Sequence, residues 1–384
     1  MKFASRVRNV SPSATLAISA RAKEIRATGE KVINFAAGEP DFDTPEFVKK
    51  KAIEAIQQGK TKYTPVSGIE ELKKAIIRKL KEENNLNYTP SQILVCTGAK
   101  QGIYNFLQAV CEEGDEVIIP SPYWVSYPEI VNLCSAVPLI IPTEKVNGFK
   151  LTPSLLKSFI SAHTKVLILN SPANPTGALY TFSELSKIAE IAVRHGIYIL
   201  SDEVYEKITY EKKHISIASL SSEVYRLTVV VNGVSKSWAM TGWRIGYVAG
   251  DEQIISKMSV IQSHSTSCPN SIAQYAALAA FEEREFPSQM LIEFRKRRDY
   301  ILKKLEEIGI SYIKPEGGFY VFFRINSKED SKSFALKLLN EERVAVVPGV
   351  AFGREGWIRL SFATSFEDIK EGMQRIERFV RRRG

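Results

Sequence analysis

Lys236 stands in Asn232-Gly233-Val234-Ser235-Lys236-Ser237-Trp238-Ala239-Met240-Thr241-Gly242-Trp243-Arg244-Ile245-Gly246, a stretch of small, apolar and aromatic residues. A lone lysine is most often a solvated surface residue. This one lies between two β-branched runs, 228–232 and 245–249, that read as buried strands. A desolvated ammonium has a lowered pKa, and its free amine condenses with aldehydes. Arg244 follows in the same stretch, and its planar fork suits a phosphate.

Other candidates sit where short apolar runs end. The run 197–200 leads into Ser201-Asp202-Glu203-Val204-Tyr205. An aspartate there is ordinarily a helix cap; buried beneath a ligand, it would instead hold a cationic ring nitrogen. The run 166–169 leads into Asn170-Ser171-Pro172-Ala173-Asn174-Pro175-Thr176-Gly177, a rigid loop that could aim Asn174 at a ligand. The run 93–96 leads into Thr97-Gly98-Ala99-Lys100 and a helical pattern. That is a plain strand-to-helix turn or, read functionally, backbone N–H groups open to an anion. The chain has neither a Walker A loop nor a G-x-G-x-x-G fingerprint, so nothing supports a P-loop or Rossmann nucleotide site.

These residues need elements to position them. Apolar β-rich runs recur at 93–96, 116–119, 137–141, 166–169, 197–200, 228–232 and 245–249. Helical spacing fills 68–83, 101–112, 182–195 and 253–264. Such alternation predicts an α/β fold with a mostly parallel seven-stranded sheet flanked by helices. Ligands bind such sheets at the carboxyl ends of the strands, where the candidates lie. From Ser271 to Ile308 the pattern is helical, interrupted by Pro287. The tail changes style, with strand-like 319–323 and 357–361 and helices near 328–340 and 366–381. The expected organisation is a large domain over 44–285 and a smaller α+β domain over 286–384, joined by the N-terminal segment 1–43.

Composition sets bounds on the function. The chain has 384 residues, 44% hydrophobic and 25% charged, which are globular values. The net charge is +9, modest for this length, and the basic clusters at 295–298 and 381–383 are short and free of aromatics. No nucleic-acid partner is expected. No apolar run approaches the ~18 residues of a membrane helix, and residues 1–6 show no signal-peptide core, so a cytoplasmic protein is expected. Cys96, Cys111, Cys134 and Cys268 form no C-x-x-C pair and read as reduced core thiols. The four scattered histidines suggest no metal site.

The stretch Gly233–Gly246 resembles the cofactor-lysine motif of the class I pyridoxal-phosphate-dependent aminotransferases of fold type I, the aspartate aminotransferase family. Further matches follow in family order. They are Gly38-Glu39-Pro40-Asp41-Phe42-Asp43-Thr44-Pro45, Tyr63-Thr64-Pro65 with Gly68, Tyr123-Trp124, Asn174-Pro175-Thr176-Gly177 and Asp202-Glu203-Val204-Tyr205, then Pro348-Gly349 with Ala351-Phe352-Gly353, and Arg359. The resemblance implies that Lys236 binds pyridoxal 5′-phosphate and moves the proton between the substrate Cα and the cofactor C4′. It implies that Asp202 pairs with the ring nitrogen, that Tyr205 and Asn174 bond the phenolate oxygen, and that Trp124 stacks on the ring. The phosphate would rest on Ala99, Lys100, Ser235 and Arg244. Tyr63 would reach it from the neighbouring subunit of a homodimer. Arg359, with Asn174 and the Gly38 backbone, would grip the substrate α-carboxylate. The same family geometry implies cis bonds at Ser121–Pro122 and Asn174–Pro175.

Two departures stand out. Gly98 and Gly233 occupy positions where better-known members carry phosphate-binding serines, a loss that Ser235 could partly offset. In one bacterial branch Lys100 would contact the distal carboxylate of aspartate, while the lysine that can precede the N-terminal Pro-Ser-Ala-Thr is here Ser11. The activity implied is transamination from L-aspartate to 2-oxoglutarate, with amino acids and 2-oxo acids as substrates. The alternatives are an aminotransferase for aromatic or other amino acids, or a lyase of the same fold. A regulator with an added helix-turn-helix domain is a different class. The Gly-Glu-Pro motif at residue 38 leaves little space ahead of it for one.

Overall fold

The apolar runs pair into one sheet in a computed structural model that describes residues 3–8, 10–12, 14–283, 285–325 and 329–383. After a short β1 (Ile33–Asn34), the sheet uses β2 (Ile93–Thr97), β3 (Glu116–Ser121), β4 (Val137–Pro142), β5 (Thr164–Asn170), β6 (Tyr198–Asp202), β7 (Thr228–Gly233) and β8 (Ile245–Ala249). Their spatial order is β2-β8-β7-β6-β5-β3-β4. β8 runs antiparallel to both neighbours, and every other pair is parallel.

Both faces of this sheet are covered, which explains why the strands are continuously apolar rather than alternating. Leu94, Val117, Val166, Leu200 and Val229 pack on one face. Val95 and Val230, then Ile118, Leu167 and Ile199, pack on the other. Helix Phe182–His195 shows why the covering segments fold as they do. Thr181 and Glu184 close a capping box at its start, and Gly196 takes the left-handed conformation at its end.

The tail builds a second sheet from β9 (Tyr312–Ile313), β10 (Tyr320–Arg324), β12 (Val347–Pro348) and β13 (Trp357–Ser361), all antiparallel, while β11 (Val344–Ala345) pairs in parallel with β1. Ile369, Met373, Ile376 and Phe379, spaced on one face of helix Phe366–Arg381, pack in a cluster with Phe35, Phe319 and Leu360. Helices Ser271–Glu282 and Glu285–Glu307 occupy the span read as helical, and Pro287 falls in the first turn of the second, where its missing N–H is tolerated. Among the described residues no helix is long and apolar enough to cross a membrane.

One sequence reading changes. Cys96 and Cys134 are buried, but Cys111 and Cys268 are partly exposed rather than core thiols, because they lie in connections after a helix ends and before one begins. β6 runs on to Asp202, so of the two readings of that residue the helix cap falls away.

A buried ion pair ties the sheet to helix Glu70–Asn84. Lys79 Nζ donates to Glu206, which also accepts from Asn84 Nδ2 at 2.7 Å and Asn232 Nδ2 at 2.8 Å. Burial alone would push Glu206 up, but the nearby Lys79 and His214 charges and these hydrogen bonds outweigh it and bring its pKa to about 2. Breaking one side of such a pair costs about 3 kcal/mol. Glu206→Gln should therefore lower the urea midpoint at neutral pH. The folded pKa lies below the unfolded value, so this contribution is whole above about pH 4.5 and fades as the pH falls toward 2. The stability gap between wild type and variant should narrow over that range; a gap independent of pH would contradict the pairing.

Candidate active site

β7 ends at Gly233, the chain turns through Lys236 and Arg244, and β8 returns antiparallel with Gly246 opposite Gly233 and Ile245 opposite Thr97. That reversal puts the start of β8 at the edge where the parallel strands end. A cavity of about 330 Å³ opens there. It is lined by Gly38, Ala99, Lys100, Trp124, Asn174, Asp202, Tyr205, Ser235, Lys236, Arg244 and Arg359. Those are all the residues singled out in the sequence but one. Tyr63 is 92% exposed and outside the lining.

Asp202 is buried at the end of β6. Tyr127 Oη donates to its Oδ2 at 2.6 Å, and the Val204 N–H donates to its Oδ1 at 3.3 Å. Burial pushes the carboxyl up to about 6, against the pull of the Tyr127 hydrogen bond. Burial acts oppositely on Lys236 and brings its ammonium down to about 8. Its Nζ donates to the Gly38 carbonyl at 2.5 Å. Tyr205, also buried, shares a hydroxyl contact of 3.0 Å with Tyr320.

One end of the cavity is formed by the start of helix Ala99–Val110, with Ser235 and Arg244 beside it, an arrangement suited to an anion. Arg244 adopts a left-handed backbone (φ 57°) and Nη1 donates to the Thr241 carbonyl at 2.9 Å. The two glycine departures have physical reasons. Gly98 has φ 78°, and a Cβ there would meet the Arg244 guanidinium. A Cβ at Gly233 would lie 2.8 Å from Gly246 Cα and 2.9 Å from the Ile245 carbonyl oxygen. A serine at 233 would thus collide with β8. Lys100 lies with Nζ 4.9 Å from the Trp124 ring centroid, and burial followed by the Arg244 charge lowers its pKa.

Arg359, on β13, is 2% exposed. Nη2 donates to the Ala36 carbonyl at 2.8 Å and Nη1 to Asn174 Oδ1 at 3.3 Å. Its guanidinium lies 4.4 Å from the Tyr320 ring centroid and 5.1 Å from that of Phe352. Nε is buried without a partner. No carboxylate pairs with Arg359 among the described residues, so a buried cation faces the cavity with bonding capacity unused. Bonds at Ser121–Pro122 and Asn174–Pro175 are cis, as the resemblance implies, and Ser171–Pro172 is cis too.

Tyr127 and Tyr320 line this cavity and escaped the sequence reading. Tyr127 follows Trp124 by three positions, a spacing that could have drawn attention to it. Tyr320 lies within the strand-like aromatic run 319–323, where nothing local marks it out.

A family model described as aminotransferase class I and II matches residues 30–376. The chain belongs to that family. It is 50% identical to the aspartate aminotransferase of Bacillus subtilis strain 168, with 99% of each chain covered. Identity is 46% to a probable aspartate/prephenate aminotransferase of Aquifex aeolicus, with 98% of each covered. The structure of the Thermus thermophilus aspartate aminotransferase with maleate superposes with a TM-score of 0.95 at 42% identity, covering 98% of this chain and 99% of that one. This aminotransferase uses pyridoxal 5′-phosphate, and the cavity fits that group. An amine, a buried acid and an anion cradle line one space, and the Arg359 guanidinium lines it with no carboxylate partner among the described residues.

Two outcomes follow from the geometry. In the protein freed of cofactor, an amine-specific reagent should label Lys236 with a midpoint near pH 8; a midpoint at an ordinary lysine value of about 10.4 would contradict its desolvation. Gly233→Ser should destabilise the protein by about 2 kcal/mol through overpacking, read from the urea midpoint. An unchanged midpoint would show that β8 can yield.

Proposed function

We propose that this aminotransferase moves the amino group of L-aspartate to 2-oxoglutarate, giving oxaloacetate and L-glutamate. The observation that carries the reading is a carboxylate-free, buried Arg359 in the same cavity as the desolvated Lys236. Arg359 grips the α-carboxylate common to every amino acid, and Asn174 orients its guanidinium. Lys100 supplies a second cation for the side-chain carboxylate of a dicarboxylate substrate. The relatives named aspartate aminotransferase support this choice over neutral donors.

When bound, the cofactor supplies an electron sink for the carbanion left at the substrate Cα. The chain's residues do the rest. Lys236 would hold the cofactor and, with its amine free, would take the proton from the substrate Cα and return it at the cofactor C4′; a lysine brought near pKa 8 suits that task. Asp202 would pair with the ring nitrogen, Tyr205 and Asn174 would hydrogen-bond the phenolate oxygen, and Trp124 would cover the ring. The N–H groups of Ala99 and Lys100, with Ser235 and Arg244, would hold the phosphate, which leaves the Lys100 side chain for the substrate.

The reading includes a cytoplasmic homodimer. Tyr63 is exposed on its own chain, and a groove of about 640 Å³ beside Arg244 leaves space for a partner's residue. Four free cysteines accord with a reducing compartment. Segments 1–43 and 286–384 form the smaller domain and 44–285 the larger, an assignment supported by the pairing of β1 with β11.

Lys236→Ala should lose the visible absorbance of the bound cofactor and lower kcat by at least about 10³-fold; retained turnover would overturn the assignment. Arg359→Ala should raise KM about 100-fold for every donor, from the loss of charge-assisted hydrogen bonds. An unchanged KM would remove Arg359 from the substrate site. In a panel of donors with 2-oxoglutarate, aspartate should give the highest kcat/KM; preference for an aromatic donor would refute the substrate choice.

A further inference from the structure

Asp202 has few restraints in the fold. Among the described residues, Oδ1 receives only the backbone N–H of Val204, at a long 3.3 Å. Oδ2 receives the Tyr127 hydroxyl at 2.6 Å, the short contact expected when the acceptor is ionised. Tyr127 is itself held firmly. It is 2% exposed in helix Ser126–Leu133, and its ring meets Trp124 edge-on, with centroids 5.3 Å apart and planes at 83°. One side chain therefore touches both residues that would flank the ring of the bound cofactor. It packs against the aromatic and donates to the acid.

We infer that Tyr127 is a positioning residue, whose hydroxyl fixes the Asp202 carboxylate in the orientation that pairs with the ring nitrogen of bound pyridoxal phosphate. The inference rests on the roles proposed above for Lys236 and Asp202. The electrostatics agree with it. The groups bearing on Asp202 are Tyr127, Glu203, Tyr205 and Lys236. Burial raises the carboxyl, Glu203 adds to that rise, and Tyr127 and Lys236 oppose it. Loss of the Tyr127 hydroxyl leaves a buried carboxylate with one weak donor, so it rotates or takes up a proton more readily.

The test compares four holoenzymes: wild type, Tyr127→Phe, Asp202→Asn and the double variant. The readout is the dissociation constant of pyridoxal phosphate. Phenylalanine keeps the ring against Trp124 and removes only the donor. Tyr127→Phe should weaken cofactor binding about tenfold in the wild-type background and less than twofold when Asp202 is already asparagine. An equal loss in both backgrounds, or none in either, overturns the inference. If the phenylalanine variant does not fold, Tyr127→His, which keeps a ring N–H donor, serves instead. Affinity within about threefold of wild type supports the inference, and a tenfold loss opposes it. Failure of the underlying reading looks different: Asp202→Asn and Lys236→Ala would then both leave cofactor binding unchanged.

Discussion

Desolvation of charge at one edge of a sheet is the constraint on which this structure depends. Lys236, Asp202 and Arg359 are all drawn away from their ordinary pKa values by burial, and all three line one cavity. Burying an unpaired guanidinium is costly in any fold. Arg359 meets that cost only in part, through two hydrogen bonds and two aromatic faces. The remaining demand is what a substrate carboxylate can satisfy. Lys236 and Asp202 are shifted in opposite directions, as expected when the same low-dielectric space disfavours the charge on each.

Topology delivers these groups to one place. Parallel strands bring Asn170, Asp202 and Gly233 to a common edge. The antiparallel return of β8 adds the end that parallel strands alone would send to the far side, and with it Arg244. Arg359 arrives from the other sheet, on β13, and crosses to meet Asn174 from the loop after β5. The cavity thus joins residues from two sheets, and Ala36, next to β1, accepts a hydrogen bond from the same guanidinium.

Much of this was legible in the sequence because the chemistry sits in short, ordered stretches. The alternation of apolar runs with helical spacing announced a mostly parallel sheet flanked by helices. The Gly233–Gly246 stretch announced a lysine kept from solvent. What escaped notice depends on contacts between distant segments. Tyr127 matters through an acid on β6, and Tyr320 through Tyr205, partners that no local pattern connects to them. The glycines at 98 and 233 could be seen as departures, but their cause could not. It lies in how closely β7 and β8 approach and where the Arg244 side chain folds back. Cys111 and Cys268 were misjudged because residue type does not tell which side of an element's end faces water.

If the Lys236 amine carries the cofactor, borohydride reduction of the holoenzyme, followed by proteolysis and peptide mass analysis, will mark that residue. A phosphopyridoxyl mass confined to the peptide bearing Lys236 is the expected result. The same mass on another lysine, with Lys236 unmodified, would contradict the account.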